Sequence, residues 1–509
     1  VTQVVRRHTL KYGGEIWRFR NNRFQQGGLS GTFNFTRALT NDPQRPQLTG
    51  YGVATFLLGA VNAGSLVDAT KLYERAWYGA LFIQDDWRVR DRLTFNLGLR
   101  WDVETNPVDR FNQRSAFNFS KTNPITNLPG ILEFAGKDYQ GSVVPTDKNN
   151  FGPRFGFAYT LDKANQTVLR GSYGVLYQGI FESFESNLGW SATTPFNDPS
   201  LGPVPTFYMS QGPSSLVRPP GNTLGARSFL GLGVLGRGQD DRVGYTQQWS
   251  FNLQRSLPGR WILETGYVGT KGNKLGNGAQ GVNVNQLDPR FLSLGFSLQD
   301  QIPNPLFPLG IFGRTVARSQ TLLPYPAYQG VTRRAPSWGN SIYHGLQINA
   351  RKALGHGLTA QLSYAFGKTI DDTVPSLSAG FAGFNTGDPG YQNVYNRQVE
   401  RSISPTDVSQ RFVANWLYAL PLGKGMAVGL RGPADWILGG WQISGIFTAQ
   451  TGVPLLVRGA NNNAANRPNS TGRSAQLPSD QRSIARWLDT SAFTGPPLFT
   501  YGNVGRVLP

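Results

Sequence analysis

The sequence predicts an all-β fold, an antiparallel transmembrane β-barrel, and three observations lead to this prediction. Apolar and polar residues alternate along many segments, which is typical of strands that face lipid on one side and water on the other. Most of these segments reach the ~9–11 residues that a membrane-crossing strand needs, whereas globular strands average ~5–6 residues. The connections between them are alternately short and very long. Outer-membrane barrels have this arrangement, with short periplasmic turns and long extracellular loops.

The alternation gives each predicted strand one apolar and one polar side. Along residues 92–104, for example, Leu97 and Leu99 lie on one side, and Asn96 and Arg100 lie on the other. We expect the apolar sides to contact lipid and the polar sides to line the barrel interior. Eight polar residues are the candidates for the interior or for contact with a solute: Asn96, Arg100, Gln361, Ser363, Arg411, Asn415, Gln442 and Ser444.

Turn-forming residues join the predicted strands in pairs. Pro258 with Gly259, and Gly355 with His356, mark tight hairpins, and a longer glycine-rich link joins the last pair. The predicted pairs are residues 74–89 with 92–104, 151–161 with 167–178, 242–257 with 260–271, 338–354 with 357–370, and 407–420 with 439–451.

The connections between these pairs are much longer than ordinary loops. They comprise residues 105–150, 179–241, 272–337 and 371–406, and they are rich in Gly, Pro, Asn and Ser. Ordinary loops have a median length of ~4–6 residues, so these connections are about ten times longer. A soluble sandwich has no reason to separate short and long connections so regularly. We therefore interpret the long connections as loops on one side of a membrane.

Tryptophan positions agree with aromatic girdles at the two membrane–water interfaces. Trp87 and Trp261 lie beside short turns, and Trp77 and Trp101 lie towards the long connections. Trp416 is in the middle of a predicted strand and fits neither girdle. Aromatic residues also favour strands in general, which is the alternative explanation.

The composition limits the classes of function. The 509 residues include no Cys and three His, so we expect no disulfide scaffold, no metal site and no cofactor. The formal net charge is +19, from 49 Lys and Arg against 30 Asp and Glu. These basic residues are scattered along the chain, which argues against nucleic acid as a partner. We expect outer-membrane lipid and lipopolysaccharide as partners, because their phosphates suit arginine.

Two short motifs suggest chemistry, but their context favours structural roles. Residues 231–236 match the glycine pattern of dinucleotide-binding loops, yet the required strand and helix do not flank them, so we interpret them as a flexible loop. Asp85 and Asp86 point to opposite sides of a strand, because neighbouring residues alternate. They therefore predict a strand-end role beside Arg88 and Arg90 rather than a catalytic pair of carboxylates.

Two further groups of polar residues are weighed in the same way. Asp371 and Asp372 open a long connection and could bind a metal ion or a cationic substrate, but solvated loop residues are the preferred interpretation. His344 and His356 are interpreted as turn or lumen residues. No pattern predicts a catalytic site, and we expect that the protein is not an enzyme.

Several segments resemble a known family of outer-membrane proteins. Residues 78–87, which read YGALFIQDDW, continue into residues 93–100, which read LTFNLGLR. This combination resembles the barrel of TonB-dependent outer-membrane transporters, in particular the Oar-like branch. Residues 150–159, NFGPRFGFAY, and residues 248–254, QWSFNLQ, are also similar. The resemblance covers nearly the whole chain and is weaker in the long loops.

The resemblance implies a larger protein than the chain itself. Members of this family carry an N-terminal regulatory-like domain, a plug with a TonB box, and a barrel of ~22 strands. About a dozen strands are expected here. We therefore expect residues 1–509 to be a single β-barrel domain, an internal barrel fragment without the N-terminal domain, the plug or the C-terminal closing strands.

The implied function is TonB-dependent active uptake of a solute across the bacterial outer membrane. This chain would supply barrel wall and extracellular substrate-capturing loops, and the TonB complex would act through the plug. The solute would be a siderophore, a glycan or a peptide. Two alternatives remain open: an outer-membrane adhesion or secretion-assisting surface protein, and a soluble all-β glycan-binding or hydrolytic domain. The soluble domain would bury the apolar sides of its strands between two sheets.

Overall fold

The structure is a computed structural model that describes residues 1–24, 28–164, 166–179, 186–196, 204–276, 281–355, 357–373, 391–459, 467–484 and 486–508. Its α-helices are α1 (Gly52–Leu57), α2 (Arg318–Thr321) and α3 (Pro433–Leu438). Short 3-10 helices span Arg37–Leu39, Gly225–Arg227, Pro289–Gln299, Phe307–Leu309, Arg397–Glu400, Ser479–Gln481 and Thr490–Ala492. Among the described residues, no helix has the length and apolar composition that crossing a membrane requires.

Strands dominate the structure. In chain order they are β1 (Thr2–Val5), β2 (His8–Arg23), β3 (Thr32–Asn34), β4 (Ala60–Val61), β5 (Ala63–Ala69), β6 (Leu72–Arg90), β7 (Leu93–Glu104), β8 (Val108–Asp109), β9 (Ser115–Thr122), β10 (Pro129–Phe134), β11 (Asn150–Thr160), β12 (Thr167–Tyr177), β13 (Ser191–Pro195), β14 (Phe207–Tyr208), β15 (Gly233–Gly236), β16 (Tyr245–Leu257), β17 (Trp261–Leu275), β18 (Val282–Asn283), β19 (Gln301–Pro303), β20 (Thr315–Ala317), β21 (Gly330–Arg333), β22 (Gly339–Gly355), β23 (Leu358–Asp371), β24 (Ser402–Ile403), β25 (Gln410–Ala419), β26 (Gln442–Gln450), β27 (Asn469–Ser470) and β28 (Phe493–Thr494).

Most of the long strands form one antiparallel sheet, which we call the wall. Its strand order is β1-β2-β6-β7-β11-β12-β16-β17-β22-β23-β25-β26, so each wall strand pairs with the wall strands before and after it in the chain. The short strands β8 and β24 extend the pairing of β6 and β23 at the end of the wall where the long connections lie. This topology confirms the predicted antiparallel all-β fold.

The five predicted hairpins are all present, and they pair β6 with β7, β11 with β12, β16 with β17, β22 with β23, and β25 with β26. The turn between β22 and β23 shows why a glycine is needed there. Gly357 has a φ angle of +78°, and a Cβ atom at this position would lie 2.6 Å from the carbonyl oxygen of Ala419. A larger residue would strain the turn and push β25 away.

The sequence did not predict the first hairpin of the wall, which pairs β1 with β2. β2 pairs with β6 over its whole length. Its two sides have mixed character, because Trp17 and Phe19 lie on the same side as Lys11 and Glu15, and the other side carries Arg18. A mixed composition on both sides hides the period of two on which strand prediction depends.

The register gives the wall one apolar face and one polar face. Residues that lie directly opposite each other in adjacent strands project to the same face. Ile83 lies opposite Leu99 on the apolar face, and these side chains are 53% and 44% exposed. No described segment covers this face, whereas a soluble β-sandwich would bury it beneath a second sheet. The exposed apolar surface is that of a sheet in contact with lipid.

Trp416 lies closer to the short turns than the sequence analysis predicted. Trp416 is opposite Ala360, Ala360 is opposite Lys352, and Lys352 is opposite Trp261 at the start of β17. Trp416 and Trp261 therefore lie in one row across the apolar face, close to the short turns. The mid-strand interpretation of Trp416 is wrong because β25 ends three residues later.

The long connections fold together into a second structure, which we call the cap. Phe117 comes from the connection after β7, Val234 from the connection after β12, and Tyr328 from the connection after β17, yet all three are buried in one core. The full set of buried core residues is Phe117, Leu132, Phe134, Leu230, Val234, Ala327, Tyr328 and Val331. Apolar residues far apart in the sequence thus bury one another, and the long connections form a folded structure.

Buried ion pairs fasten the cap to the wall and its connections to each other. Each pair joins an arginine to a carboxylate, and their side chains are at most 11% exposed. The pairs are Glu74–Arg114, Asp241–Arg333, Asp371–Arg506 and Glu400–Arg467. Removing one member of a buried ion pair costs about 3–5 kcal/mol when the remaining charge has no other partner. The pairs therefore hold the connections in fixed positions above the wall.

Candidate functional site

All eight sequence-predicted residues lie on the polar face of the wall. Gln361 lies opposite Asn415, and Ser444 lies opposite Leu417 on the same face. The chain of opposed residues continues strand by strand to Asn96 in β7. The lining of a water-filled interior by this face remains a prediction.

Asn96 is part of a hydrogen-bonded group centred on Asp86. Its Nδ2 atom donates to Oδ1 of Asp86 at 2.7 Å, and Nε2 of Gln84 donates to the same oxygen at 3.1 Å. The Nζ atom of Lys11 donates to Oδ2 of Asp86 at 3.2 Å. Both carboxylate oxygens are therefore used within the wall, and Asn96 stabilises three adjacent strands.

Arg100 is held by two carboxylates and a hydroxyl group. Its Nε atom donates to Oδ1 of Asp102 at 2.8 Å, and its Nη2 atom donates to the hydroxyl oxygen of Tyr78 at 2.6 Å and to a carboxylate oxygen of Glu15. The Tyr78 hydroxyl donates in turn to Asp102. Arg100 is neutralised by these partners, so its charge orders the wall instead of attracting a further anion.

A cavity of about 270 Å³ opens beside Arg100, where the polar face of the wall meets the cap. Its volume exceeds the ~30 Å³ that one water molecule occupies in the liquid, so it has room for a polar group of a solute together with water. We call it the junction cavity, and its lining includes Glu15, Tyr78, Arg100, Asp102, Glu104, Asn150 and Arg154.

Asn150 offers an unused hydrogen-bond acceptor at the junction cavity. Its side chain is almost fully buried, and its Nδ2 atom donates to the carbonyl oxygen of Asp147 at 3.3 Å. Its Oδ1 atom has no hydrogen-bond partner among the described residues. A buried acceptor without a donor costs about 1–3 kcal/mol. The oxygen itself is buried, so a donor group from water or from a solute reaches it only when the side chain rotates towards the cavity.

Arg154 offers an unused positive charge at the same cavity. It is exposed, and it forms no hydrogen bond or ion pair with a described residue. It is the next residue after Gly152 on the polar face of β11. A Cβ atom at the position of Gly152 would lie 2.7 Å from the carbonyl oxygen of Val175. Gly152 thus lets β11 and β12 approach closely beneath the cavity. Arg154, unlike Arg100, is free to pair with an anionic group.

The other six predicted residues have no fixed polar partners. Gln361, Asn415 and Ser444 line an open depression of about 740 Å³ towards the short turns. None of the six side chains forms a hydrogen bond or ion pair with a described residue. The three that lie outside the depression are Ser363, Arg411 and Gln442.

Apart from Arg100, sequence reasoning did not single out the residues that line the junction cavity. Glu15 lies in β2, which was not predicted as a strand. Tyr78 is an aromatic residue in a strand, where aromatic residues are common. In the sequence, Asn150 and Arg154 are distinguished only by their position on the polar side of β11. Every second residue of a wall strand lies on that side, so this position does not identify them. Their convergence on one cavity depends on the pairing of distant strands.

The glycine motif at residues 231–236 forms neither a nucleotide-binding loop nor a flexible one. It leads into β15, which pairs in parallel with β21, and Val234 is buried in the cap core. β16 is the next regular element in the chain, so no helix follows the glycines. The motif is therefore part of the cap structure.

Asp85 and Asp86 project to opposite faces of β6, as predicted, but their partners differ from those expected. The Oδ2 atom of Asp85 lies 2.7 Å from Nδ1 of His8 on the apolar face. Asp86 pairs with Lys11 on the polar face. The expected role beside the arginines that follow in β6 is wrong, because β2 supplies the basic partner of each carboxylate.

Asp371 and Asp372 are not solvated loop residues. The carboxylate of Asp371 is buried and forms an ion pair with Arg506. The Oδ1 atom of Asp372 accepts a hydrogen bond from the backbone N–H of Asn340 at 2.5 Å. Both carboxylates are occupied in positioning the chain. Among the described residues, no group of three or more His, Asp or Glu side chains is arranged to hold a metal ion.

His344 is neither a turn residue nor a polar-face residue. It lies within β22 on the apolar face, and its Nδ1 atom is 2.6 Å from the hydroxyl oxygen of Tyr267. The two rings are stacked with centroids 6.0 Å apart. The pair belongs to the aromatic residues on the long-connection side of the apolar face. His356 lies outside the described residues.

Comparisons with known proteins found solved structures that are similar to the chain at low sequence identity. The chain is similar to the outer membrane transporter YddB from Escherichia coli, with 11% identity and a TM-score of 0.44 over 94% of this chain and 43% of that one. It is also similar to the FrpB iron transporter from Neisseria meningitidis, with 12% identity and a TM-score of 0.34 over 82% of this chain and 39% of that one. The chain thus spans less than half the length of these proteins. No curated protein sequence matches it significantly.

The family model for the outer membrane beta barrel domain matches residues 1–508, which is nearly the whole sequence. This match agrees with the antiparallel wall, its uncovered apolar face and the folded cap at one end. The chain therefore belongs to the outer membrane beta barrel domain family and is a protein of the outer membrane.

Proposed function

We propose that the protein takes part in the TonB-dependent active uptake of a solute across the outer membrane. In this proposal the wall is part of the barrel and the cap is the extracellular structure that captures the solute. The observation that carries it is the junction cavity, where Asn150 and Arg154 offer an unused acceptor and an unused positive charge. The resemblance of residues 78–100 to the Oar-like branch supports the dependence on TonB.

The proposed path of the solute runs from the cap to the polar face of the wall. In this proposal a solute at the junction cavity lies next to Arg100 and then meets the polar residues without fixed partners towards the short turns. Residues 1–509 would act as one β-barrel domain within a larger barrel. The plug of that barrel would connect the solute with the TonB complex.

The groups at the junction cavity indicate which solutes suit it. The Oδ1 atom of Asn150 accepts a hydrogen bond, and the guanidinium group of Arg154 donates to anionic oxygens. Siderophores and peptides carry both donor groups and anionic oxygens, whereas a neutral glycan carries donors without the charge. A siderophore or a peptide is therefore the preferred solute.

The test compares uptake by cells that produce the unchanged protein with uptake by cells that produce Arg154→Gln. Three radiolabelled probes are offered: a ferric catecholate siderophore, whose iron centre carries a net negative charge, an acidic pentapeptide and maltopentaose. We expect energy-dependent accumulation of the siderophore or the peptide. We expect Arg154→Gln to reduce it about tenfold, because one charge-assisted hydrogen bond to the solute is lost.

The matched control is Arg170→Gln, which removes the same charge from the same polar face near the short turns. It should change uptake less than twofold. The proposal fails if the unchanged protein gives no accumulation above cells without it, or if both variants behave alike. Accumulation that continues after the proton gradient is collapsed would indicate a passive pore, and adhesion without uptake would indicate the surface-protein alternative.

A further inference from the structure

Four arginines cluster on the apolar face of the wall, at the end where the long connections lie. Arg20 in β2 lies directly opposite Arg75 in β6, and Arg18 projects from the same face two residues earlier. Val108, which belongs to β8, lies opposite Arg75 of β6. Arg110 follows two residues later next to Tyr73 and therefore projects to the same face. We call Arg18, Arg20, Arg75 and Arg110 the arginine cluster.

Among the described residues, the arginine cluster has no anionic partner of its own. None of its four guanidinium groups forms a hydrogen bond or ion pair with a described residue. Arg75 is instead repelled by the charges of its three neighbours. Asp109 is the carboxylate that attracts Arg75, but backbone N–H groups of Tyr73, Phe111 and Gln113 already occupy its oxygens.

Such an arrangement is unfavourable without a ligand. Like charges directly opposite each other in adjacent strands destabilise a sheet. The face that carries the arginine cluster is otherwise apolar in this region, since Ile16 and Leu81 are exposed there at 73% and 58%. An anion between Arg20 and Arg75 would replace repulsion by attraction.

The position of the cluster matches one interface of a membrane. His8 stacks on Trp87 near the short turns, with ring centroids 5.3 Å apart. The guanidinium carbon of Arg18 lies 5.0 Å from the ring centroid of Trp77, ten residues further along both strands. Ten residues span ~33 Å along a strand, or ~25 Å across the membrane at a tilt of ~40°. This equals the ~25 Å height of the apolar band of outer-membrane barrels.

We propose that the arginine cluster binds the phosphate groups of lipid headgroups in the outer leaflet. Guanidinium groups bind phosphate in a bidentate manner, and several of them can share one phosphorylated headgroup. The apolar surface below the cluster would contact the acyl chains of the same lipid. Trp77, beside Arg18, would lie at the headgroup level, where tryptophan is common.

The test uses the purified chain in dodecyl maltoside, titrated with bis-phosphorylated lipid A, with bound lipid measured by native mass spectrometry. We expect the double variant Arg20→Gln with Arg75→Gln to raise the dissociation constant at least tenfold. The control is Lys271→Gln with Lys368→Gln, which removes two charges from the same face and end of the wall. It should change the constant less than twofold.

Three results would overturn the proposal. The first is no bound lipid A in the unchanged protein, and the second is an equal loss in both double variants. The third is displacement of the lipid by an equal concentration of inorganic pyrophosphate, which would identify a site for soluble anions. Thermal unfolding without lipid provides the folding control. The variant of Arg20 and Arg75 should melt no lower than the unchanged protein, because it loses a repulsive contact.

Discussion

Tyr328 illustrates how a single residue couples the cap to pH. Its side chain is fully buried, the ring of Phe117 packs edge-on against it at 5.1 Å, and its hydroxyl donates to the carbonyl oxygen of Gly130 at 3.3 Å. Burial raises the pKa of Tyr328 above its ordinary value of 10.0, because the phenolate would lose its hydration. Folding thus favours the protonated form.

The raised pKa predicts loss of cap stability in alkali. The contribution of Tyr328 is complete below pH 10 and is lost as the pH rises through its value in the folded protein. We expect the difference in tyrosinate absorbance between the unchanged protein and Tyr328→Phe to titrate above pH 10. A midpoint at or below pH 10 would contradict the burial of this hydroxyl.

The pair Glu74–Arg114 predicts a large effect of a single substitution. Both side chains are buried, and Glu74 lies in β6 while Arg114 lies in the connection after β7. Arg114→Ala should destabilise the cap by about 3 kcal/mol, the lower end of the range for broken buried ion pairs. The buried carboxylate of Glu74 then keeps only the amide of Asn21 at 2.9 Å and the more exposed guanidinium group of Arg23 at 3.9 Å. The free energy of unfolding of the cap is measured in urea, with protease cleavage within residues 105–149 as the readout.

The matched control for Arg114 is the exposed pair Arg45–Asp42. Its side chains are 70% and 39% exposed, and Arg45→Ala should cost no more than ~1 kcal/mol. Equal effects of the two substitutions would mean that the burial of Glu74–Arg114 does not determine its contribution.

At the level of elements, hairpins were predictable because their signals are local. Turn residues such as Gly259 and the alternation on either side of them lie within one short stretch of sequence, and β16 and β17 were predicted on that basis. β2 lacked such a signal, since both of its sides combine aromatic and charged residues. Its place in the wall depends on pairing with β6, which a long connection separates from it.

The candidate site was predictable only in part for the same reason. Asn96 and Arg100 follow from the alternation of β7. Asn150 and Arg154 come from β11, which pairs with β7, and Glu15 comes from β2, which lies on the other side of β6. Their convergence on one cavity is a property of the sheet. Alternation indicates which face a residue takes, but it does not indicate which residues on that face meet.

Cysteine scanning tests the assignment of the two faces at β23. The chain contains no Cys, so each introduced cysteine is the only one present. We expect cysteines at Gln361 and Ser363 to react with a water-soluble maleimide in the native membrane. Cysteines at Leu362 and Tyr364 should be protected by lipid, because neighbouring residues face opposite sides.

The reactivity in this scan should therefore alternate with a period of two. Uniform labelling of all four positions would show that water reaches both faces of β23, and the lipid contact of the apolar face would then be wrong. Labelling after solubilisation in urea serves as the control, since all four cysteines should then react equally.

The whole molecule combines two structures that are stabilised in different ways. The wall exposes its apolar face and depends on lipid or detergent to cover it, whereas the cap has a buried core of its own. The cap core draws on three connections that are far apart in the sequence. Local polarity therefore predicted loops where long-range packing forms a folded structure.

This division predicts that the cap can be loosened while the wall remains paired. Phe117→Ala removes a ring that packs against Phe119, Tyr325 and Tyr328, and it should cost about 3–5 kcal/mol. We expect faster amide hydrogen exchange in β9, β10 and β15, with β16 and β17 unchanged, because the wall strands hydrogen-bond to each other and not to the cap core. Acceleration in both groups of strands would show instead that the cap and the wall unfold as one cooperative unit.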